Sequence, residues 1–338
     1  MSNHDIEQQV AEHAPASSAE QPPSSRLPDE PFYHPPAATQ RDGALTVGVV
    51  LLLVGLAWML LTIARVVPLA PVGESTLADR MIAGNLIEID AGSADVSIVR
   101  WDQPEFRVTA YQRGWSTADA AISIRSDGDT IRVSHRANCV LFCGSLRYQI
   151  AAPAAGSAHI TSLSGDIRAE SLNGGLTART TSGDVRLKDI GGLLSVETVS
   201  GDVSMRSGRV AEAHVATTSG DIELHGVQGM LVAKSTSGDI VVQQAAGGPT
   251  TLATVSGTID YDGDLRGSLS ASTISGDIRL QLPEYPGLRV HASTVSGTIE
   301  TPAGRDGAIR NEWRATIGDG ANDLSVTTTS GDITIELR

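Results

Sequence analysis

Serine, glycine and aspartate recur together in this sequence at a spacing that invites chemistry. The tripeptide Ser-Gly-Asp, or Ser-Gly-Thr, occurs nine times, with its glycines at Gly165, Gly183, Gly201, Gly220, Gly238, Gly257, Gly276, Gly297 and Gly331. Successive spacings are 18, 18, 19, 18, 19, 19, 21 and 34 residues. Stacked at that period, Asp166, Asp184, Asp202, Asp221, Asp239 and Asp277 form a column of carboxylates about 4.8 Å apart. Like charges that close repel, and a hard cation with oxygen ligands, calcium above all, would relieve them. Against calcium, Thr258 and Thr298 interrupt the column and the calcium-binding nonapeptide pattern is absent. The favoured reading is structural: each Asp bonds amides at its own exposed corner, where water screens the repulsion. No cofactor is expected.

The same residues raise the question of a hydrolase. No G-x-S-x-G elbow is present, and nine equivalent serines are a repeat rather than one preorganised site. The expectation is a protein that is not an enzyme. His159, His214 and His291 share the position six before the glycine but fall on non-adjacent repeats, too far apart to ligate one metal. Cys139 and Cys143 stand four apart; around a tight turn they can form a disulfide, on an extended strand they cannot. Trp101, Phe106, Tyr111 and Trp115 cluster ahead of the regular repeats, where they suit a cap or a contact with a partner.

The elements that position these residues follow from the columns around each glycine. Seven and five residues before it the positions are almost all apolar, as in Leu176 and Ala178 or Leu231 and Ala233. Three before, all nine are Ser or Thr; six and four before, polar residues such as His214, Arg179, Glu197 and Lys234 intervene. That alternation is a strand with one buried face. Two after the glycine all nine are Ile or Val, so the inward positions change parity at Ser-Gly-Asp, which marks a corner. Glycine at such a corner is expected to supply a positive φ. A second, Gly-rich corner follows at Gly174-Gly175, Gly191-Gly192 and Gly247-Gly248. The fold class is therefore all-β: a single-stranded β-solenoid with 18–19 residues per rung, regular over 158–338. Residues 82–157 read as irregular or capping rungs, with imperfect corners at Gly92–Val96 and Asp127–Ile131. One degenerate rung is expected near Ile317–Gly320, inside the interval of 34. The low aromatic content, 4%, fits a narrow interior.

Three zones precede the solenoid. Residues 1–43 are rich in Pro, Ser and acids and carry −5 of the chain's net −14, which predicts a disordered tail. Residues 44–64 hold no charge, and as a helix would span about 31 Å. A transmembrane α-helix over 44–67, contacting the lipid bilayer, is the expectation, with a linker at 68–81. A short tail before one span favours a single-pass protein with the tail in the cytoplasm and the solenoid outside it. The negative balance, with only two lysines, excludes a nucleic-acid partner.

The iterated T-x-SGD-[IV]-x-[IVL], as in Thr180–Leu187 and Thr328–Ile335, resembles the bacterial putative-adhesin β-strand-repeat family, a domain of unknown function, over about 82–338. The resemblance implies an envelope protein of the bacterial cell membrane with a β-helical ectodomain, and it transfers no catalytic residues. The first expectation is an interaction or scaffold module that binds an envelope polymer or protein along its stacked strands. An envelope-stress sensor acting through the N-terminal tail is the alternative, and a carbohydrate-active β-helix enzyme ranks third.

Overall fold

The structure, a computed structural model, describes residues 48–59, 74–113, 121–136, 145–284, 287–302 and 309–338. The chain divides into two compact units, Met1–Leu69 and Ala70–Arg338. In the first, residues 48–59 form a helix whose apolar side chains, Leu52 and Trp58 among them, are exposed. At 1.5 Å per residue those positions span about 18 Å, against about 30 Å of hydrocarbon in a bilayer. No described helix is long and apolar enough to cross a membrane, so the expected transmembrane helix over 44–67 is corrected to this short segment. The tail 1–43 and the flanks 44–47 and 60–67 lie outside the described residues.

The second unit is a stack of parallel strands. Its regular part runs in chain order, with each strand pairing in register with its equivalent one repeat later. Leu176 lies opposite both Ala158 and Leu194, and Val203 opposite both Val185 and Ile222. The apolar columns enter the core: Ile160, Ala178, Val196, Val215, Ala233, Leu252 and Ala271 are at most 1% exposed. Two residues past each corner, Ile167, Val185, Val203, Ile222, Ile240, Ile259 and Ile278 are equally buried. Along three rungs the chain does not break at the second corner. Strands Val185–Thr198, Val203–Ala216 and Ile222–Lys234 run straight through it. The bend is made by one left-handed residue per rung: Ser171, Asp189, Ser207, Gly226 and Gln244, with φ between 52° and 68°. Four of these are not glycine, and each holds about 1 kcal/mol or more of backbone strain.

Both ends depart from chain order. Strand Leu269–Ser272 pairs not with the next strand in sequence but with Asn322–Ser330, which in turn pairs on its far side with Leu288–Glu300. Ile278–Leu282 likewise pairs with the last strand, Ile333–Leu337. The C-terminal rung is thus inserted beneath one laid down earlier. Among the described residues no degenerate rung fills the long interval. Strand Ile309–Ile317 runs antiparallel to Leu288–Glu300, and residues 318–321 turn the chain back into the stack. The N-terminal end mirrors this. Leu86–Gly92 and Asp95–Arg100 lie between the first regular rung and an outer one built from Thr130–Arg136 and Ser145–Ala152.

Antiparallel strands close that outer rung. Glu105–Arg113 covers Ser145–Ala152, Glu74–Ala83 covers Glu105–Arg113, and Ala121–Asp127 covers Thr130–Arg136. Strand Glu74–Ala83 starts inside the stretch read as a linker, and Asp127–Ile131, read as a corner, contains an antiparallel hairpin turn. These antiparallel pairings, of which only Ala121–Asp127 with Thr130–Arg136 is a short hairpin, terminate an otherwise open parallel ladder. Phe106, completely buried, seals the core there.

Candidate functional site

Each Asp of the repeat is committed to its neighbour rather than to its own corner. The amide of Asp184 donates to Asp166 Oδ1 (3.2 Å), that of Asp202 to Asp184 Oδ1 (3.1 Å), and that of Asp221 to Asp202 Oδ1 (2.9 Å). Asp239 continues the series on Asp221, and Thr258 donates to Asp239 at 2.7 Å. At the inserted rung Asp332 donates to Asp277 Oδ1 and accepts from both the amide and the hydroxyl of Thr298. Those two bonds hold the Asp332 carboxyl below the usual carboxylate range. The column is a staircase in which one carboxylate oxygen per rung is spent on the amide of the next. Among the described residues no group of three or more His, Cys, Asp or Glu is placed to hold a metal ion.

The repeat glycines serve packing and not the expected positive φ. None from Gly165 to Gly297 has a positive φ, and Gly331, at 158°, is extended. A Cβ on Gly183, Gly201, Gly220, Gly238, Gly257 or Gly276 would instead overlap the carbonyl oxygen of the equivalent glycine one rung below. On Gly297 it would meet Gly331, and on Gly331 it would meet Gly276, which retraces the inserted order.

The position three before the glycine has a role that its composition alone did not reveal. Its hydroxyls are all buried: Ser162, Thr180, Thr198, Thr217, Ser235, Thr254, Thr273, Thr294 and Thr328. The Gly220 amide donates to Thr217 Oγ1 (3.0 Å), whose hydroxyl donates in turn to the Gly201 carbonyl (3.3 Å). Ser162 does the same between Gly165 and Gly92. One hydroxyl therefore closes its own corner and fastens it to the rung below. Thr217→Val, which keeps the shape and removes both bonds, is expected to cost about 2 kcal/mol in urea unfolding, while Thr217→Ser stays near the parent. Equal stability of the valine and serine variants would refute the ladder.

The outward positions three and five after the glycine, and their equivalents on the neighbouring N-terminal strand, assemble a continuous surface. On adjacent strands they bring together Ser97 and Val99, Arg168 and Glu170, Arg186 and Lys188, Ser204 and Arg206, and Glu223. These line a groove of about 540 Å³. A second groove of about 380 Å³ shares Ser97 and Val99 and continues over Gln149 and Ala151 to Arg107, Thr109 and Tyr111. The track crosses seven strands, roughly 29 Å along the stack. Its floor is low at Ser97, Val99 and Ala151, between long side chains on either side.

Charge along the track is balanced. Arg168 and Arg186 meet Asp166 at 3.0 and 3.2 Å, Arg186 also meets Asp184 at 2.8 Å, and Lys188 pairs with Glu170. Arg206 pairs with no carboxylate among the described residues. Exposed pairs of this kind add little stability, so their side chains are free to exchange partners at small cost. The signal for these residues was present in the repeat, at fixed offsets from each glycine, but only the stacking brings them onto one track.

The remaining predicted residues are dispersed. His291 contacts Glu312 at 3.1 Å, while His159 and His214 stand on separate rungs. Trp101 donates to the Glu105 carbonyl (2.7 Å), and Phe106 and Tyr111 lie on the antiparallel strand Glu105–Arg113. Cys139, Cys143 and Trp115 lie outside the described residues.

A family model described as Toastrack DUF4097 matches residues 85–264 and 261–336. Among solved structures, a putative adhesin from Bacteroides fragilis is similar at 14% identity and a TM-score of 0.43, covering 78% of this chain and 97% of its own. A putative cell adhesion protein from Clostridium sporogenes is similar at 10% identity and a TM-score of 0.23, covering 79% and 99%. No curated protein matches the chain.

Proposed function

From the premise that this chain belongs to the Toastrack DUF4097 family, we propose that it is a non-enzymatic, adhesin-like binding module that holds a linear, hydroxyl-rich polymer along the groove from Tyr111 to Glu223. The family supplies a fold and no reaction, so the surface must carry the reading. The observation that carries it is the continuous track from Tyr111 to Glu223. A track of this length suits an extended chain better than a compact small molecule, which prefers an enclosing pocket.

The chemistry of the lining suits hydroxyls. Guanidinium groups of Arg168, Arg186 and Arg206 donate, the carboxylates of Glu170 and Glu223 accept, and Ser97, Ser204 and Thr109 do both. Because the charges nearly cancel, the track exerts no strong pull on a polyanion. It offers instead a dense series of directional donors and acceptors, with Tyr111 as an aromatic platform at one end. A neutral glycan chain of a bacterial surface has the matching chemistry.

Affinity electrophoresis of the full chain in gels containing soluble linear polysaccharides, neutral and uronate-bearing, tests this. Retardation by a neutral polymer is expected, and Arg186→Ala with Arg206→Ala weakens it by about tenfold. Retardation that is unchanged in the double variant, or that requires uronates, would sink the reading.

A further inference from the structure

Alternation on the outermost N-terminal rung puts a histidine where the core would otherwise continue. Along Thr130–Arg136 the inward positions are Ile131, Val133 and His135, the first two fully buried. Opposite His135 on the covering strand stands Ile122, itself packed against the core. The imidazole lies against Gly92, where a Cβ would come within 3.1 Å of His135 Cε1. It also meets the completely buried Tyr148, with ring centroids 6.0 Å apart and planes tilted by 50°. His135 Nδ1 and Tyr148 Oη are both buried, and neither has a hydrogen-bond partner among the described residues.

These surroundings tolerate a neutral imidazole better than a charged one. Whichever tautomer the neutral ring takes, protonation leaves a cationic N–H at Nδ1 with no acceptor. Burial accordingly holds His135 below the usual histidine range, and it pushes the Tyr148 phenol up. The charged groups nearby do not offset this. Asp90, opposite Ser134 on the outward side of Leu86–Gly92, attracts a cation but makes no bond to Nδ1. Glu88 is paired with Arg132 at 3.0 Å and Asp95 with Arg147 at 3.5 Å, while Arg136 follows His135 in the chain and adds positive charge. From Ala121–Asp127 the residue opposite the ring is the uncharged Ile122, and Arg125 stands opposite Arg132.

We propose that the hairpin of Ala121–Asp127 and Thr130–Arg136 is an acid-released flap: protonation of His135 lifts it from Leu86–Gly92 and uncovers the parallel edge of that strand. Its attachments decide which end moves. The turn is pinned, because the amides of Asn85 and Leu86 donate to the Asp129 carbonyl at 2.8 and 3.2 Å. His135 sits at the far end, and among the described strands Thr130–Arg136 pairs only with Leu86–Gly92 and its own hairpin partner. Ser145–Ala152, held between Glu105–Arg113 and Asp95–Arg100, stays in place. Once freed, His135 takes its proton in the ordinary range, near about pH 6.5, so the open form binds more protons than the closed one. The closed hairpin therefore keeps its full stability above about pH 6.5 and loses it progressively as the pH falls. Opening leaves the edge of Leu86–Gly92 free to pair with another strand. The flap is separate from the polymer track and does not depend on it.

Hydrogen exchange of the full chain at about pH 7.5 and about pH 5, corrected for the intrinsic pH dependence of exchange, tests this. Protection over 121–136 is expected to fall by about tenfold at the acid pH, while rungs from Val185 to Leu280 keep theirs. His135→Phe keeps a ring and removes the titrating group, so it should hold its protection at both pH values. His214→Gln, in the middle of the stack, should retain the acid loss. If circular dichroism shows His135→Phe unfolded at about pH 7.5, His135→Leu gives the reading in its place. Equal protection of 121–136 at both pH values in the parent chain, an acid loss as large in the His135 variant, or a loss spread evenly over all rungs would each overturn the proposal.

Discussion

Gly220→Ala is expected to destabilise the stack by about 3 kcal/mol or more, at the upper end for a single added methyl group. Gly220 sits mid-stack, and a Cβ there would overlap the Gly201 carbonyl oxygen, close to the Gly201 carbonyl carbon and to Thr217 Oγ1. None of these can yield cheaply. The carbonyl belongs to backbone held by its own rung, and the Thr217 hydroxyl is already bonded to both corners. Relief would require separating two rungs that share a continuous parallel ladder on both sides of the corner. Gly128→Ala provides the contrast. Its φ is +59° but nothing lies within 4 Å of the added atom, so only the left-handed penalty of about 1 kcal/mol applies. Urea denaturation of both variants measures the difference, and a Gly220 variant no worse than the Gly128 variant would show that the glycine column is not a packing constraint.

A chain ending at Gly320 is expected to lose far more than its last rung. The deleted segment contributes Leu324, Val326, Ile333 and Ile335 to the core, about 6–12 kcal/mol of burial, comparable with the whole stability of a domain. Because the segment lies between Leu269–Ser272 and Leu288–Glu300, its removal leaves the earlier strand without its parallel partner and cuts the antiparallel cap off from the stack. Hydrogen exchange should then show residues 288–317 unprotected, while rungs from Ile160 to Leu224 keep their protection, since contacts in a stack reach only the neighbouring repeats. In a solenoid stacked in chain order the same deletion would leave 288–300 protected, and that outcome would disprove the insertion.

The two experiments probe different kinds of information. The glycine column, the aliphatic columns and the Ser/Thr column were legible in the sequence because a parallel in-register stack imposes one environment at each offset, rung after rung. Ile167, Val185, Val203 and Ile222 had to be alike because each sits on the last. The reason for the glycines was misread as backbone freedom, since a positive φ is the commoner demand at a corner. The clash with the rung below involves residues 18 or 19 positions away, and no local pattern records it. The aspartates were similarly read as bonding at home, whereas their acceptors serve the next rung.

The expectation for 44–67 rests on composition alone. Composition describes what a helix there would be and does not fix how long it is; the described helical residues are 48–59, and no described helix is long and apolar enough to cross a membrane.

By itself, then, the sequence determined the rung: its length, its two corners, which side chains enter the core and which hydroxyls and carboxylates recur. These follow from period-two alternation and a constant repeat, both of which are properties of neighbouring residues. Only the tertiary structure decided the order of the rungs at the two ends, the groove that joins Arg168, Arg186 and Arg206 to Tyr111, and the contact of His135 with Tyr148. Near-identical rungs can stack in more than one order with similar local contacts. The choice falls to the antiparallel strands at 74–83, 105–113, 121–127 and 309–317, which end the ladder and must therefore lie outermost.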